Sequence, residues 1–165
     1  MMFRPPLEIF DGDLSHWKKY LDQVYQAFLE SLVNADIYFR GLKINVRYKP
    51  ETEEKHYSFW HLVSESSNQK KYNEEDRIPD LARCERIRWI GWVISQAENE
   101  GFKWWENKRY GGTNVVIWDE ENDFVVILSK RNNYYLLKTA YTKINSHRKD
   151  SFEKEYMDFK NIEKS

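Results

Sequence analysis

The stretch Tyr134-Tyr-Leu-Leu-Lys-Thr-Ala-Tyr-Thr-Lys143 decides the fold prediction. It is rich in Tyr, Thr and Leu and holds no Gly or Pro, which is typical of a β-strand. Because successive strand side chains point to opposite faces, one face is predicted to carry Tyr135, Leu137, Thr139 and Tyr141. That face begins apolar and ends in two hydroxyl groups. Two interpretations of this pair stay open: a hydrogen-bonded sheet edge, or a functional pair.

The sequence before this stretch also has the pattern of a sheet. From Phe102 onward apolar residues recur at the strand period, and residues 114–119 and 124–130 are predicted strands joined by an acidic turn. Asn132 and Asn133 then predict a tight hairpin with positive φ. Consecutive strands with short turns form an antiparallel meander. We therefore expect an antiparallel sheet of about four strands, with the meander in the C-terminal half of the chain.

Three helices are predicted around this sheet. Residues 13–34 carry apolar side chains at spacings of three and four, which is typical of an amphipathic N-terminal helix. Residues 78–99 show a second apolar stripe, with Pro79 in the first turn, and predict a second long helix. A closing C-terminal helix is predicted over roughly residues 148–162. Strands and helices in this order indicate an α+β fold.

The length of the chain favours one domain. At 165 residues it is long enough to bury a sizeable core. Within residues 1–165 we expect a helical N-terminal part (1–36), a sheet with the central helix (37–147) and the C-terminal helix (148–165).

The single cysteine, Cys84, indicates the cellular compartment. One Cys allows neither an internal disulfide nor a Cys-based zinc site, and Cys84 falls on an apolar stripe, where an inert core thiol is expected. No signal-peptide core and no apolar run of bilayer length is present. A soluble cytoplasmic protein without a membrane partner is therefore expected. No metal-binding motif and no phosphate-binding glycine loop occurs, so no metal or cofactor is expected.

Basic residues are grouped, although the net charge of −1 gives no overall attraction to nucleic acid. Residues 37–49 and 130–149 are two blocks that contain Lys and Arg but no acid. In a neutral protein such blocks indicate a surface that faces an anion; the alternative is solvated side chains at strand edges. The candidates for contacts to a phosphate backbone are Arg40, Lys43, Arg109 and Arg131.

One histidine, His61, is a candidate for proton transfer. It lies in residues 56–64, a short aromatic stretch that fits either a strand or a helix. An imidazole has an ordinary pKa of about 6.5 and serves as acid or base near neutral pH. A histidine in apolar company is also commonly buried and hydrogen-bonded, and both interpretations stay open.

Five stretches form a spaced pattern: Phe39-Arg-Gly-Leu42, Phe59-Trp-His-Leu-Val-Ser64, Asp80-Leu-Ala-Arg-Cys-Glu-Arg-Ile87, Val125-Val-Ile-Leu128 and Tyr135-Leu-Leu-Lys-Thr-Ala-Tyr141. The pattern resembles a phage-associated branch of the barnase–EndoU–colicin–RelE nucleases, over roughly residues 38–157. Members of that group place a helical part before an antiparallel sheet that carries the active site. They cleave RNA without a metal, often as toxins.

The resemblance implies a metal-independent ribonuclease that uses the 2′-hydroxyl of RNA as nucleophile, as a toxin or mobile-element effector. His61 would be the base or acid, and Arg86, or Arg83, a cation beside the phosphate. Thr139 would donate to a phosphate oxygen, and Tyr141 would bond to or stack on a base. For the arginines, a structural ion pair with Glu85 is the alternative.

A second function is compatible with the same residues. The chain is nearly neutral, and His61 is the one histidine suited to acid–base chemistry. Both features favour a non-catalytic RNA- or protein-binding module on the same fold. RNA is the expected partner of the ribonuclease and of an RNA-binding module, and a neutralising or recruiting protein partner is also expected.

Overall fold

A curled mixed sheet of six strands organises the part of the chain that the computed structural model describes, residues 3–66, 77–109 and 111–164. Side by side, its strands are β1 (Tyr38–Phe39), β2 (Leu42–Asn45), β8 (Tyr134–Thr142), β7 (Phe124–Lys130), β6 (Gly112–Asp119) and β5 (Phe102–Arg109). A separate ribbon consists of β3 (Ser64–Ser66) and β4 (Arg77–Pro79). The α+β prediction is confirmed.

The predicted meander is present, but the sheet is larger than expected. Strands β5 to β8 are antiparallel neighbours in sequence order. The hairpin of β1 and β2 adds two strands, and β2 runs parallel to β8, with Lys43 opposite Tyr134. The prediction of a wholly antiparallel sheet of about four strands is therefore wrong. The alternation of basic or polar and apolar residues within 43–48 predicts a strand, but it does not specify a partner that lies far away in the sequence.

The turn before β8 has a different geometry from the one predicted. Neither Asn132 nor Asn133 has a positive φ, whereas Asp123, in the turn between β6 and β7, has a φ of 54°. Arg131 N donates to Tyr134 O at 2.9 Å and closes the β7–β8 turn. The Asn pair therefore marks the position of the turn but not its type.

Helices cover both faces of the sheet. They are α1 (Trp17–Phe28), α2 (Tyr57–Val63), α3 (Leu81–Glu85), α4 (Trp89–Gln96) and α5 (Ser146–Lys164). A 3₁₀ turn (Leu14–His16) precedes α1 and a π-helical turn (Leu29–Val33) follows it, so the predicted first helix is confirmed. The ambiguous stretch 56–64 is mostly helical. No helix within the described ranges combines the length and the apolar character that crossing a bilayer requires.

The predicted long second helix is broken into α3 and α4, with Pro79 in β4 and Asp80 as the N-cap of α3. In a continuous helix Glu85 O would accept from Trp89 N. Here Glu8 N donates to Glu85 O at 2.9 Å, and Trp89 N donates to Arg86 O at 2.9 Å instead. The N-terminal segment thus takes up a carbonyl that the helix would need in order to continue.

Two apolar clusters lie on opposite faces of the sheet. The larger cluster joins α1, α2 and α4 to one face and includes Cys84. Burial raises the pKa of the Cys84 thiol to about 12, so its position as a core thiol is confirmed and it stays protonated. The smaller cluster packs α5 on the other face around Trp105, Trp118 and Phe152.

The close approach of α4 to the end of the first helix leads to a stability prediction. A Cβ added to Gly91 would lie 2.9 Å from Ile37 Cδ1 and 3.2 Å from Ser31 O. Gly91→Ala is therefore expected to lower the free energy of unfolding by about 1–3 kcal/mol, although alanine favours a helix by up to about 1 kcal/mol. Chemical denaturation measures this change. Ser95→Ala, at an exposed position of α4, should change it by less than about 0.5 kcal/mol, and a Gly91→Ala protein as stable as wild type would contradict the prediction.

Candidate nucleic-acid interface

A cleft of about 500 Å³ lies beside β2 and the β7–β8 turn. Its polar lining consists of Lys43, Asn45, Arg47, Arg131 and Tyr134, hereafter the basic cleft. The other described lining residues are apolar, and none of the described ones is acidic. The cleft therefore has the charge that an anionic ligand requires.

The parallel pairing of β2 with β8 forms this cleft. Lys43 lies opposite Tyr134 and Asn45 opposite Leu136, and Arg131 lies in the turn just before β8. The two acid-free blocks, residues 37–49 and 130–149, therefore meet across one strand pair. Neither block shows this from its own sequence, because the contact depends on the fold.

The cations of the basic cleft have no carboxylate partner in the part of the chain that the structure describes. Lys43 and Arg131 make no ion pair and no side-chain hydrogen bond with the described residues, and Arg47 Nε donates to Lys49 O at 2.7 Å. Several cations elsewhere are paired: Arg40 with Glu98 (2.8 Å), Arg83 with Glu65 (2.6 Å), Arg88 with Glu8 (2.6 Å) and Arg109 with Glu155 (3.4 Å). Three cations without a carboxylate partner among the described residues thus lie together in the cleft.

Arg47 connects the cleft to His61. Its guanidinium carbon lies 4.5 Å from the centroid of the Tyr57 ring. The Tyr57 ring stacks on the His61 imidazole, with centroids 4.1 Å apart and an interplanar angle of 29°. His61 is partly exposed, so its side chain is not sealed in the core. The histidine predicted from the sequence therefore lies two side-chain contacts from the cleft.

Hydrogen bonds between Arg47 and helix α2 hold this arrangement. Arg47 N donates to Ser58 Oγ at 2.6 Å, and Ser58 N donates to Arg47 O at 3.0 Å. Before the helix, His56 Nδ1 lies 2.7 Å from the Tyr25 hydroxyl, and burial lowers the pKa of His56. These contacts place the start of α2 between α1 and the chain that follows β2.

The side chains of β8 do not alternate as predicted. Leu137 lies opposite Leu128 and Thr139 opposite Ile127, so Lys138 is an extra residue, a β-bulge. A bulge reverses the alternation, and Tyr141 packs into the cluster beneath α5 while Leu137 belongs to the opposite cluster. The prediction that Tyr135, Leu137, Thr139 and Tyr141 share one face is therefore wrong.

The two hydroxyl groups of β8 contact different partners. Thr139 Oγ1 donates to the main-chain oxygen of His61 at 3.1 Å, so it bonds to helix α2 and not to the imidazole. The Tyr141 hydroxyl is buried without a hydrogen-bond partner among the described residues, and the guanidinium carbon of Arg83 lies 6.0 Å from the centroid of its ring. Thr139 and Tyr141 are near the predicted site, and their catalytic roles stay predictions.

The predicted arginines near α3 make local contacts. Arg83 donates to Ser64 O at 3.2 Å as well as pairing with Glu65, which fixes the β3–β4 ribbon. Arg86 donates to Ala82 O at 3.0 Å, lies 5.0 Å from the centroid of the Trp89 ring, and approaches Glu85 at 3.9 Å.

The other predicted cations divide between the cleft and distant surfaces. Lys43 and Arg131 line the basic cleft. Arg40 lies 4.8 Å from the centroid of the Trp104 ring, and Arg109 pairs with α5. The structure therefore brings together two of the four predicted phosphate contacts.

The sequence analysis missed Arg47 and Tyr57, the two residues that connect the cleft to His61. Arg47 belongs to the acid-free block 37–49, so the charge pattern already contained a signal for it. Tyr57 has no such local signal, because its role depends on ring contacts with Arg47 and His61 that only the folded chain makes.

No family model matches the chain, and neither a curated protein nor a solved structure matches it. Among the described residues, no group of three or more His, Cys, Asp or Glu side chains is placed to hold a metal ion. A functional assignment therefore rests on the geometry of the cleft and of His61.

Proposed function

We propose that the protein is a metal-independent ribonuclease that holds RNA in the basic cleft and uses His61 for proton transfer. One observation carries this proposal: Lys43, Arg47 and Arg131 line one cleft without a carboxylate partner among the described residues, and Tyr57 contacts both Arg47 and His61. An acid-free cleft favours phosphate, and an imidazole near it supplies acid–base chemistry.

The reaction assigned to this site is transesterification at phosphorus. The RNA 2′-oxygen attacks the adjacent phosphate, the bond to the 5′-oxygen breaks, and a 2′,3′-cyclic phosphate forms. A neutral His61 accepts the proton of the 2′-hydroxyl, and water then protonates the leaving 5′-oxygen. A protonated His61 would instead donate its proton to the 5′-oxygen, and water would accept the proton of the 2′-hydroxyl. Arg47, the cleft cation next to the Tyr57–His61 stack, stabilises the extra negative charge on the phosphate oxygens.

Thr139 acts as a positioning residue in this proposal. Its hydroxyl bonds to the main-chain oxygen of His61 and so fixes the last turn of α2, which carries the imidazole. Arg83 fixes the neighbouring β3–β4 ribbon through Ser64 and Glu65. These contacts keep the imidazole on the Tyr57 ring, which in turn contacts Arg47, without bringing Thr139 or Arg83 to the phosphate.

Cleavage in the presence of a chelator tests the proposed reaction. Purified protein is incubated with mixed cellular RNA in excess EDTA, and the new 3′ ends are analysed chemically. We expect 2′,3′-cyclic phosphate ends. RNA that stays intact at high protein concentration would rule out the ribonuclease.

A non-catalytic RNA-binding module is the second candidate. It is favoured by the two hydroxyl groups of β8, because the Thr139 hydroxyl already bonds to the main chain and the Tyr141 hydroxyl is buried. Neither is placed as a second acid–base group for His61. This candidate predicts salt-sensitive RNA binding without turnover.

Removing two cations from the basic cleft is expected to weaken RNA binding and its dependence on salt. For Lys43→Ala combined with Arg131→Ala, the slope of log Kd against log salt should fall by about 1.4, since each neutralised phosphate of a single strand contributes roughly 0.7. Fluorescence anisotropy over a salt series measures the slope.

The matched control removes the same charge elsewhere. Lys154→Ala combined with Lys164→Ala changes two exposed positions of α5 and should leave the slope unchanged. If both double variants bind RNA like the wild type, the basic cleft does not hold the phosphates.

A further inference from the structure

A row of polar side chains crosses the sheet next to the basic cleft. Asn107 lies opposite Asn114, Asn114 opposite Ser129, and Ser129 opposite Leu136, which in turn lies opposite Asn45. Paired residues of neighbouring strands project to the same face of a sheet, so these side chains lie along one line. The polar row is hereafter Asn107, Asn114, Ser129 and Asn45.

The next row on this face is apolar. Two residues away from the polar row in β5 and β6, Trp105 lies opposite Val116, which lies opposite Ile127, and Phe152 of α5 packs on Trp105 at 5.3 Å between ring centroids. Helix α5 reaches the polar row through Glu155, whose carboxylate accepts from Asn107 Nδ2 at 3.0 Å. The face therefore changes from an apolar part covered by α5 to a polar part beside the cleft.

The polar row has hydrogen-bonding capacity that the described residues do not use. Asn114 is only 8% exposed, yet its side chain makes no hydrogen bond within the described chain. The Oδ1 atom of Asn107 is buried without a partner. The side chains of Ser129 and Asn45 make no hydrogen bond with described residues either. Buried polar groups of folded proteins are nearly always hydrogen-bonded. The buried Asn107 Oδ1 atom and the nearly buried Asn114 amide, next to the partly exposed Ser129 and Asn45, therefore indicate a surface that can bond to a ligand.

The dimensions and charges of the surroundings indicate which ligand. Four steps between strands separate Asn107 from Asn45, which is about 19 Å at the usual strand spacing. This is the length of a few nucleotides. Asn45 itself lines the basic cleft, where Lys43 and Arg131 suit phosphate groups. Amides both donate and accept, as the edges of nucleic-acid bases do, and base edges are accessible when RNA is unpaired.

We infer that the polar row reads the bases of unpaired RNA whose phosphates lie in the basic cleft, with Asn114 at its centre. This inference rests on the proposed function, because it assumes RNA in that cleft. The inference adds the direction of the bound RNA to the proposed function. The RNA strand crosses β2, β8, β7 and β6 and does not run along them. Sequence preference then comes from amide groups on the sheet, while affinity comes from the cations of the cleft.

Selection from short randomised RNA tests this inference. Wild-type protein is compared with Asn114→Val, which removes the amide while keeping a β-branched residue that suits a central strand. The matched control is Thr113→Val, the preceding residue of β6, whose side chain points to the opposite face. Bound RNA is sequenced, and the salt dependence of binding is measured for each protein.

We expect wild type and Thr113→Val to enrich the same bases at adjacent positions. Asn114→Val should lose about tenfold of the discrimination at one position, with an unchanged salt slope. Ser129→Ala gives a second, smaller change at a neighbouring position, which keeps the test available if Asn114→Val does not fold.

The outcomes separate this inference from the proposed function. If wild type binds RNA with a steep salt dependence but without base preference, or if Asn114→Val and Ser129→Ala both keep the wild-type preference, the polar row does not read bases and this inference alone is wrong. If wild type binds no RNA at any salt concentration, the proposed function is wrong and the inference with it.

Discussion

His61→Gln is expected to lower the rate of RNA cleavage by a factor of about 10²–10⁴, the usual contribution of a general acid or base. Glutamine keeps a polar side chain of similar reach and favours a helix, so α2 should persist. It cannot take up a proton near neutral pH. Single-turnover cleavage of end-labelled RNA with excess protein and chelator measures the chemical step without product release.

Binding and a control histidine distinguish this effect from general damage. RNA affinity should stay within about threefold of wild type, because the phosphates bind to cations of the basic cleft and not to the imidazole. His147→Gln, at an exposed position in the first turn of α5, should cleave like the wild type. Cleavage by His61→Gln at the wild-type rate would remove His61 from the mechanism and leave the binding module as the better description.

Trp105→Ala is expected to lower the free energy of unfolding by about 3–5 kcal/mol. The Trp105 side chain is fully buried, at 0% exposure, and its ring contacts Phe152, Trp118 and Tyr156 at centroid distances of 5.3, 6.4 and 6.1 Å. Alanine would leave a large cavity between β5 and α5. Because domains are commonly stable by only about 5–15 kcal/mol, this is a large part of the total.

Chemical denaturation followed by circular dichroism measures this loss. Tyr38→Ala removes an aromatic side chain that is 54% exposed on β1, and it should cost less than about 1 kcal/mol. A loss below about 1 kcal/mol for Trp105→Ala would mean that α5 does not depend on this ring for its packing.

Secondary structure followed from local pattern where the period of the apolar side chains continues through the whole element. The apolar stripe of residues 13–34 corresponds to helical residues 14–33, and alternation located β6, β7 and β8. The second helix was predicted wrongly as one continuous helix, because its break depends on the bond from Glu8 N to Glu85 O, which joins distant parts of the chain. Local periodicity does not contain that contact.

The sequence predicted the positive charge of the site but not the full set of residues that form it. The acid-free blocks contained Lys43, Arg47 and Arg131, which meet in one cleft. The shared face of Thr139 and Tyr141 with Leu137 was predicted wrongly, since one extra residue at Lys138 reverses the order of faces. A bulge has no reliable signal in a stretch without Gly.

The α+β class, the C-terminal meander and the two basic blocks follow from the order of residues alone, because helix period, strand period and charge are properties of near neighbours. Only the tertiary structure decided that β2 runs parallel to β8, that Tyr57 contacts both Arg47 and His61, and that a polar row crosses the sheet. These features join residues far apart in the chain, and the free energy that selects them comes from packing the whole core.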